Sequence, residues 1–171
     1  MVSLENAQNK NLQQCYEIIN IGRKFQQEQG FTQWTEDYPS FDIIRKDILS
    51  KKGYVVKVNG TIAGYVCIDF DGEPDYDNID GRWSLTAPYA VVHRMAFSAP
   101  YRGIGLADTL WELIEAYCLG KNVGYIRVDT DFPNKRMQHI LEKNDFKRCG
   151  VISFQGRGRI AYDKVLKSLS E

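Results

Sequence analysis

The chain has 171 residues, 43% of them hydrophobic and 26% charged, enough to bury one core of ordinary size without a repeat array or a disulfide framework. A single domain over 1–171 is expected. Lys and Arg total 22, as do Asp and Glu, for a formal net charge of +0, so the chain has no excess field to hold nucleic acid or an anionic membrane.

Cys15, Cys67, Cys118 and Cys149 stand far apart with no C-x-x-C pair, and His93 and His139 are the only imidazoles. That spacing argues against both a metal site and a disulfide network. The opening MVSLENAQNKNLQQ lacks the apolar run of a signal peptide, and no stretch approaches the roughly 20 apolar residues of a membrane span. A cytoplasmic protein in a reducing compartment is expected.

In chain order, Leu12, Tyr16, Ile19 and Phe25 recur near helical spacing, predicting a helix over about Lys10 to Gln29 that stops at Gly30. After an aromatic loop, Phe31 to Tyr38, Ser40 is placed to cap a second helix bearing Ile43, Ile44 and Ile48 and ending near Lys51. Two β-rich runs, Tyr54 to Val58 and Thr61 to Ile68, flank Asn59-Gly60, a pair suited to a type I′ hairpin turn.

An acidic run follows: Asp69, Asp71, Glu73, Asp75, Asp77 and Asp80. The glycine and terminal glutamate of a helix-loop-helix calcium site are not at the required offsets. The run reads either as a solvated loop or as a surface that attracts a cationic polyamine or a basic peptide.

Val91 to Phe97 predicts a buried strand ended by Pro100. The stripe Leu106, Leu110, Leu113, Ile114 and Tyr117 predicts an amphipathic helix over Leu106 to Cys118. A strand over Tyr125 to Asp131 and a helix opened by Pro133-Asn134 and carrying Met137, Ile140 and Leu141 close a parallel βαβ unit. Phe146 to Phe154 and Gln155 to Val165 predict an antiparallel closing pair. The fold class is a mixed-sheet α/β domain.

The segment Tyr101-Arg102-Gly103-Ile104-Gly105-Leu106-Ala107-Asp108 joins a strand to a helix start. Such a turn directs unpaired amides and a positive helix end at one space, suiting a phosphate or pyrophosphate. The third glycine of a dinucleotide fingerprint would fall at Asp108, and no Gly-Lys-Ser/Thr follows, so Rossmann and P-loop readings fail.

Arg102-Gly103-Ile104-Gly105-Leu106-Ala107 resembles the Arg/Gln-x-x-Gly-x-Gly/Ala signature of the GNAT superfamily of acyl-CoA-dependent N-acyltransferases. His93-Arg94-Met95-Ala96-Phe97 precedes it as that family's fourth strand does, and Asp129-Thr130-Asp131 with Asn134-Lys135-Arg136 follows. The resemblance covers about Val55 to Tyr162. It implies a GNAT-like α/β (α+β) fold: a central mixed, mostly antiparallel sheet flanked by helices, with a parallel strand pair splayed at an acyl-CoA slot.

The resemblance further implies acetyl-CoA as co-substrate, with no metal, and a primary amine of a small molecule or peptide as acceptor. The amides from Gly103 to Asp108 would hold the pyrophosphate of coenzyme A, with Arg102 beside them. Met95, Ala96 and Phe97 would pair with the pantetheine arm, and Asn134 and Arg136 would adjoin the cofactor. Relatives dimerise through the late strands; monomer and homodimer both stand.

Many relatives carry an acidic tyrosine in a pattern like Asn-x-x-Ala-x-x-x-Tyr-Glu-Lys-x-Gly-Phe. This chain places Leu141 at the tyrosine and Asp145 at the glycine, so the usual proton donor is missing. His139, roughly 200° around the helix from Leu141, is expected in solvent. His93, an imidazole titrating near 6.5 when unperturbed, is the candidate base, directly or through water; the other reading is a strand histidine satisfied by hydrogen bonds.

The backbone N–H of Phe97 could polarise the thioester carbonyl. Trp34, Asp37, Tyr38, Trp83 and Tyr89 lie between core elements, where the family builds its acceptor pocket; core packing is the competing role for each aromatic. Against a transferase stands a non-catalytic acyl-CoA-binding or sensory module, motivated by Leu141 and by the lack of a strand carboxylate. A protein-interaction domain with a coincidental glycine loop stands further off.

Overall fold

The computed structural model describes residues 1–31 and 33–167. Its strands are β1 (Val2–Asn6), β2 (Gly53–Val58), β3 (Thr61–Asp69), β4 (Asp80–Gly81), β5 (Ala90–Phe97), β6 (Tyr125–Thr130), β7 (Lys147–Phe154) and β8 (Arg157–Val165). The helices are α1 (Leu12–Glu28), α2 (Phe41–Leu49), α3 (Leu106–Gly120) and α4 (Lys135–Lys143). One eight-stranded mixed sheet runs in the order β1-β2-β3-β5-β6-β8-β7-β4. It is mostly antiparallel, with β5 and β6 as its parallel pair. The chain forms two compact units, one of Met1–Ile68 with His93–Leu113, the other of Asp69–Val92 with Ile114 onward.

In the first unit α1 buries Leu12, Cys15, Ile18 and Ile19. These pack with Trp34, Ile44 and Ile48, Val55, Tyr65 and Ala96 into one core. The amphipathic spacing thus does what it predicts: one helical face replaces water with apolar neighbours. Gly30 follows α1 at φ 79°, the left-handed stop a glycine reaches without steric cost. Ser40 caps α2, its Oγ accepting from the Ile43 amide at 3.2 Å. Asn59 and Gly60 take φ 49° and 82°, the type I′ geometry that sets the β2–β3 register.

β1 has no counterpart in the elements read from sequence. It pairs antiparallel with β2 from Val2↔Val58 to Asn6↔Tyr54, and its alternation Val-Ser-Leu-Glu-Asn is short and half-exposed, as suits an edge strand. α1 starts at Leu12 rather than Lys10, because a 3-10 turn, Asn9–Asn11, precedes it.

In the second unit β6 pairs with the start of β5, Ala90↔Ile126 and Val91↔Arg127, and antiparallel with β8 along its whole length. β7 and β8 form the closing hairpin over Gln155 and Gly156, both left-handed at φ 53° and 75°. β4 pairs antiparallel with β7 and approaches it closely at Gly81 and Gly150, where a Cβ would sit 2.2 Å from the Cys149 carbonyl and 2.1 Å from that of Asp80 respectively. Only glycine allows that approach.

The acidic run is not solvated along its length. Pro74–Asn78 winds into a 3-10 turn that buries Tyr76 against Val91, Ile152 and Ala161. One aromatic anchors the segment from within, while Asp69, Glu73 and Asp75 stay half-buried.

Candidate functional site

The glycine loop and the second half of β5 lie in the first unit. A Cβ at Gly64 on β3 would meet the Ala96 carbonyl and the Phe97 ring at 2.9 Å each, so β3 lies close on β5 there. Ser98 ties the strand end down, its amide and hydroxyl both donating to the Ala63 carbonyl at 2.9 and 3.1 Å. A 3-10 turn, Ala99–Tyr101, then spends the amides of Tyr101 and Arg102 on Ser98 and Ala99.

Beyond that turn, Gly103 and Gly105 stand at φ 74° and 79°, and a Cβ added at Gly105 would meet nothing within 4 Å. The loop is open, and α3 begins at the buried Leu106. The first-turn amides of a helix have no intrahelical acceptor, and their dipole favours an anion. The Asp108 carboxylate lies in that first turn. The Arg102 guanidinium stacks on the Phe25 ring of α1, 4.5 Å from its centroid, while Ile104 is exposed between the glycines.

Two of the aromatics read as acceptor-lining, Trp34 and Tyr38, belong to the same unit. Trp34 is a core residue, 4% exposed and packed with Ile18 and Ile44. Tyr38 accepts from the Arg94 Nη1 at 3.0 Å.

The other two, Trp83 and Tyr89, lie in the second unit and already hold a cation of the protein itself. The Arg127 guanidinium sits 4.4 Å from the Trp83 ring, 4.2 Å from that of Tyr89 and 5.2 Å from that of Tyr125. Arg127 donates to the Leu85 carbonyl at 2.9 Å. Tyr125 donates its hydroxyl to Asp163 at 2.6 Å, and the Asp163 carboxylate also receives the amide and hydroxyl of Ser84 at 2.7 and 2.9 Å. Cation–π and hydrogen bonds together fix the segment before β5.

Beside it opens a cleft of about 330 Å³ lined by Phe70, Asp71, Gly72, Glu73, Pro74, Asp77, Pro88 and Tyr89. Aromatic and proline walls with three carboxylates suit an alkyl ammonium group. Burial pushes the Glu73 carboxyl up, the Asp75 amide opposes this, and the negative charges of Asp75, Asp129 and Asp69 add to it. The sequence pointed to an acidic run; which of its members share a cavity depended on the turn around Tyr76.

Asn134 accepts from the Met137 amide at 3.0 Å and so caps α4. Arg136 and His139 are exposed on that helix, and Leu141 is fully buried. His93 is half-buried on β5. Among the described residues no cluster of three or more His, Cys, Asp or Glu is arranged to hold a metal ion.

A profile of the acetyltransferase (GNAT) family matches residues 12–146. The chain belongs to the GNAT family. A GNAT acetyltransferase of known crystal structure from Streptococcus agalactiae is 32% identical over 98% of this chain and 96% of its own, with a TM-score of 0.89. A GNAT acetyltransferase from Listeria monocytogenes, 21% identical, shares the fold over 96% of this chain and 95% of its own at a TM-score of 0.75. So does the aminoglycoside acetyltransferase AAC(6')-Ib, solved with coenzyme A and kanamycin, at 19% identity, 96% and 95% coverage and a TM-score of 0.71. No curated protein matches the chain.

The glycine loop follows β5 and leads into α3, and Leu141, at the position where the resemblance expects a tyrosine, belongs to the core.

Proposed function

We propose that this GNAT protein is an N-acetyltransferase that moves an acetyl group from acetyl-CoA to a primary amine by direct attack on the thioester. The left-handed pair Gly103 and Gly105 at the start of α3, with open space at Gly105, carries the reading. Amides from Gly103 through Ile104, Gly105, Leu106 and Ala107 to Asp108 hold the pyrophosphate at a positive helix end. Arg102 supplies a fixed positive charge beside them.

Along β5, the backbone of Met95, Ala96 and Phe97 pairs with the amides of the pantetheine arm as an added strand would. The Phe97 N–H polarises the thioester carbonyl. His93 takes a proton from the bound ammonium, directly or through water, and the neutral amine then attacks the thioester, its second proton passing to the leaving thiolate. With Leu141 in the core, the thiolate leaves without a tyrosine acid, which its pKa near 8.5 permits.

The acceptor is a cationic amine. The cleft between Phe70 and Tyr89 holds its ammonium against Asp71, Glu73 and Asp77, and a polyamine uses that charge best. Trp83, held with Tyr89 against the Arg127 guanidinium, stands next to that cleft.

Calorimetric titration of acetyl-CoA into the wild type and Gly105→Glu tests the donor site. A carboxylate at a left-handed position over the helix start is expected to weaken binding at least about tenfold; equal affinity would place the donor elsewhere. A buried Leu141 at the tyrosine position also supports a second reading, an acyl-CoA-binding module without turnover, which is expected to bind acetyl-CoA and release no thiol with any amine.

A further inference from the structure

The strand that carries the thioester contacts in this reading is interrupted by a residue with the wrong conformation for a strand. Arg94 stands at φ 53° in the middle of β5. An arginine resists that region because its Cβ crowds the following carbonyl oxygen, so surrounding structure must over-determine it.

The surroundings are in place. Arg94 forms a two-pronged pair with Asp47 of α2, Nε to Oδ2 at 2.9 Å and Nη2 to Oδ1 at 2.7 Å. Its Nη1 reaches the Tyr38 hydroxyl at 3.0 Å and its Nη2 the Cys67 sulfur at 3.3 Å. A third contact to the carboxylate comes from β3, where Tyr65 donates its hydroxyl to Asp47 Oδ2 at 2.7 Å. Asp47 thus ties α2, β3 and β5 together, with the two charged side chains 9% and 12% exposed. A paired guanidinium and carboxylate this far from water hold a planar fork in one orientation.

We propose that Arg94 is a positioning residue for acyl transfer: its pair with Asp47 locks residue 94 in the left-handed conformation, and that lock sets the direction of the His93, Met95, Ala96 and Phe97 backbone. The inference rests on the transferase reading for what the backbone then does. The lock itself is a statement about β5 alone.

Glycine separates the two roles of Arg94. It takes φ near 53° without the penalty that alanine meets, so it restores the conformation without restoring the ion pair. Pairing each change with Asp47→Asn avoids leaving an unpaired buried carboxylate. The comparison is therefore Asp47→Asn/Arg94→Gly against Asp47→Asn/Arg94→Ala, with Tyr65→Phe as a variant that keeps the pair.

Three readouts are taken: backbone amide shifts of residues 93–97, the KM for acetyl-CoA, and kcat with a diamine acceptor. The glycine double variant is expected to keep the wild-type shifts and a kcat about tenfold above that of the alanine double variant, whose shifts move. Tyr65→Phe is expected to keep both. Equal shifts and equal kcat in the glycine and alanine variants would overturn the lock. Should the wild type release no thiol with any amine, the transferase reading fails, and the amide shifts alone decide the lock. If neither double variant folds, Arg94→Gly and Arg94→Ala on the native Asp47 are compared by the same shifts: wild-type shifts in the glycine variant alone support the lock, and equal shifts in both overturn it.

Discussion

Glu73 is a carboxyl whose environment works against its charge, and this fixes the sign of a pH effect. Burial first, and then its acidic neighbours, raise its pKa above 4.5, so the folded state binds this proton more tightly than the unfolded chain. The stability it contributes is present at acid pH and is lost as pH rises through the folded value. Glu73→Gln keeps an acceptor for the Asp75 amide, which lies 3.2 Å from Oε1. The variant is expected to melt above the wild type at neutral pH, with the gap closing toward about pH 4; a wild type that melts higher at neutral pH would contradict this. Burial likewise pushes the thiols of Cys15 and Cys118 up to about 12. Native protein is therefore expected to resist iodoacetamide at these two positions at mildly alkaline pH and to react fully in denaturant, read by mass spectrometry. At this scale the glycine loop was legible, because positive φ and glycine go together locally. The Arg127 clamp was not: the sequence marks Trp83 and Tyr89 as aromatic but not the guanidinium, 38 or more positions away, that lies against their rings.

Among the elements, β6 and β8 meet through a buried charge. Asp129 receives the Tyr76 hydroxyl at 2.6 Å and pairs with Arg159 at 2.9 Å, both side chains of the pair less exposed than 10%. Removing one partner strands the other, so Asp129→Ala is expected to cost about 3–5 kcal/mol, while Asp129→Leu with Arg159→Met is expected to recover part of that loss, the Tyr76 hydroxyl staying without its acceptor. Urea unfolding of the single and double variants checks this; a double variant as unstable as the single would contradict it. The cleft segment makes a second prediction. Asp77→Asn removes one of three carboxylates from its lining and is expected to raise KM for a diamine several-fold, an effect that fades at high salt; an unchanged KM would move the acceptor elsewhere. Helices α1, α2 and α3 were readable because apolar stripes repeat at 3.6 residues. β1 and the two-residue β4 were missed: the first alternates over five residues only, and the second forms where Gly81 and Gly150 let two antiparallel backbones approach closely.

For the molecule as a whole, balanced charge provides no net field for a polyanion, and no helix among the described residues is long and apolar enough to cross a membrane. The order of strands and helices in the sequence was enough to indicate a mixed sheet with one parallel pair, since a strand-helix-strand crossover dictates parallel pairing. What it could not show was how an acidic run becomes a cleft, because that depends on Tyr76 burying itself against β5, β7 and β8. On the proposed function, this GNAT protein binds acetyl-CoA and turns it over on a cationic amine. The most direct test is thermal unfolding with and without acetyl-CoA, followed on the same sample by thiol release across polyamines, amino acids, aminoglycosides and short basic peptides. A raised midpoint at saturating acetyl-CoA is expected, with thiol release greatest for polyamines. An unchanged midpoint, or a raised one with no release from any amine, would contradict the claim.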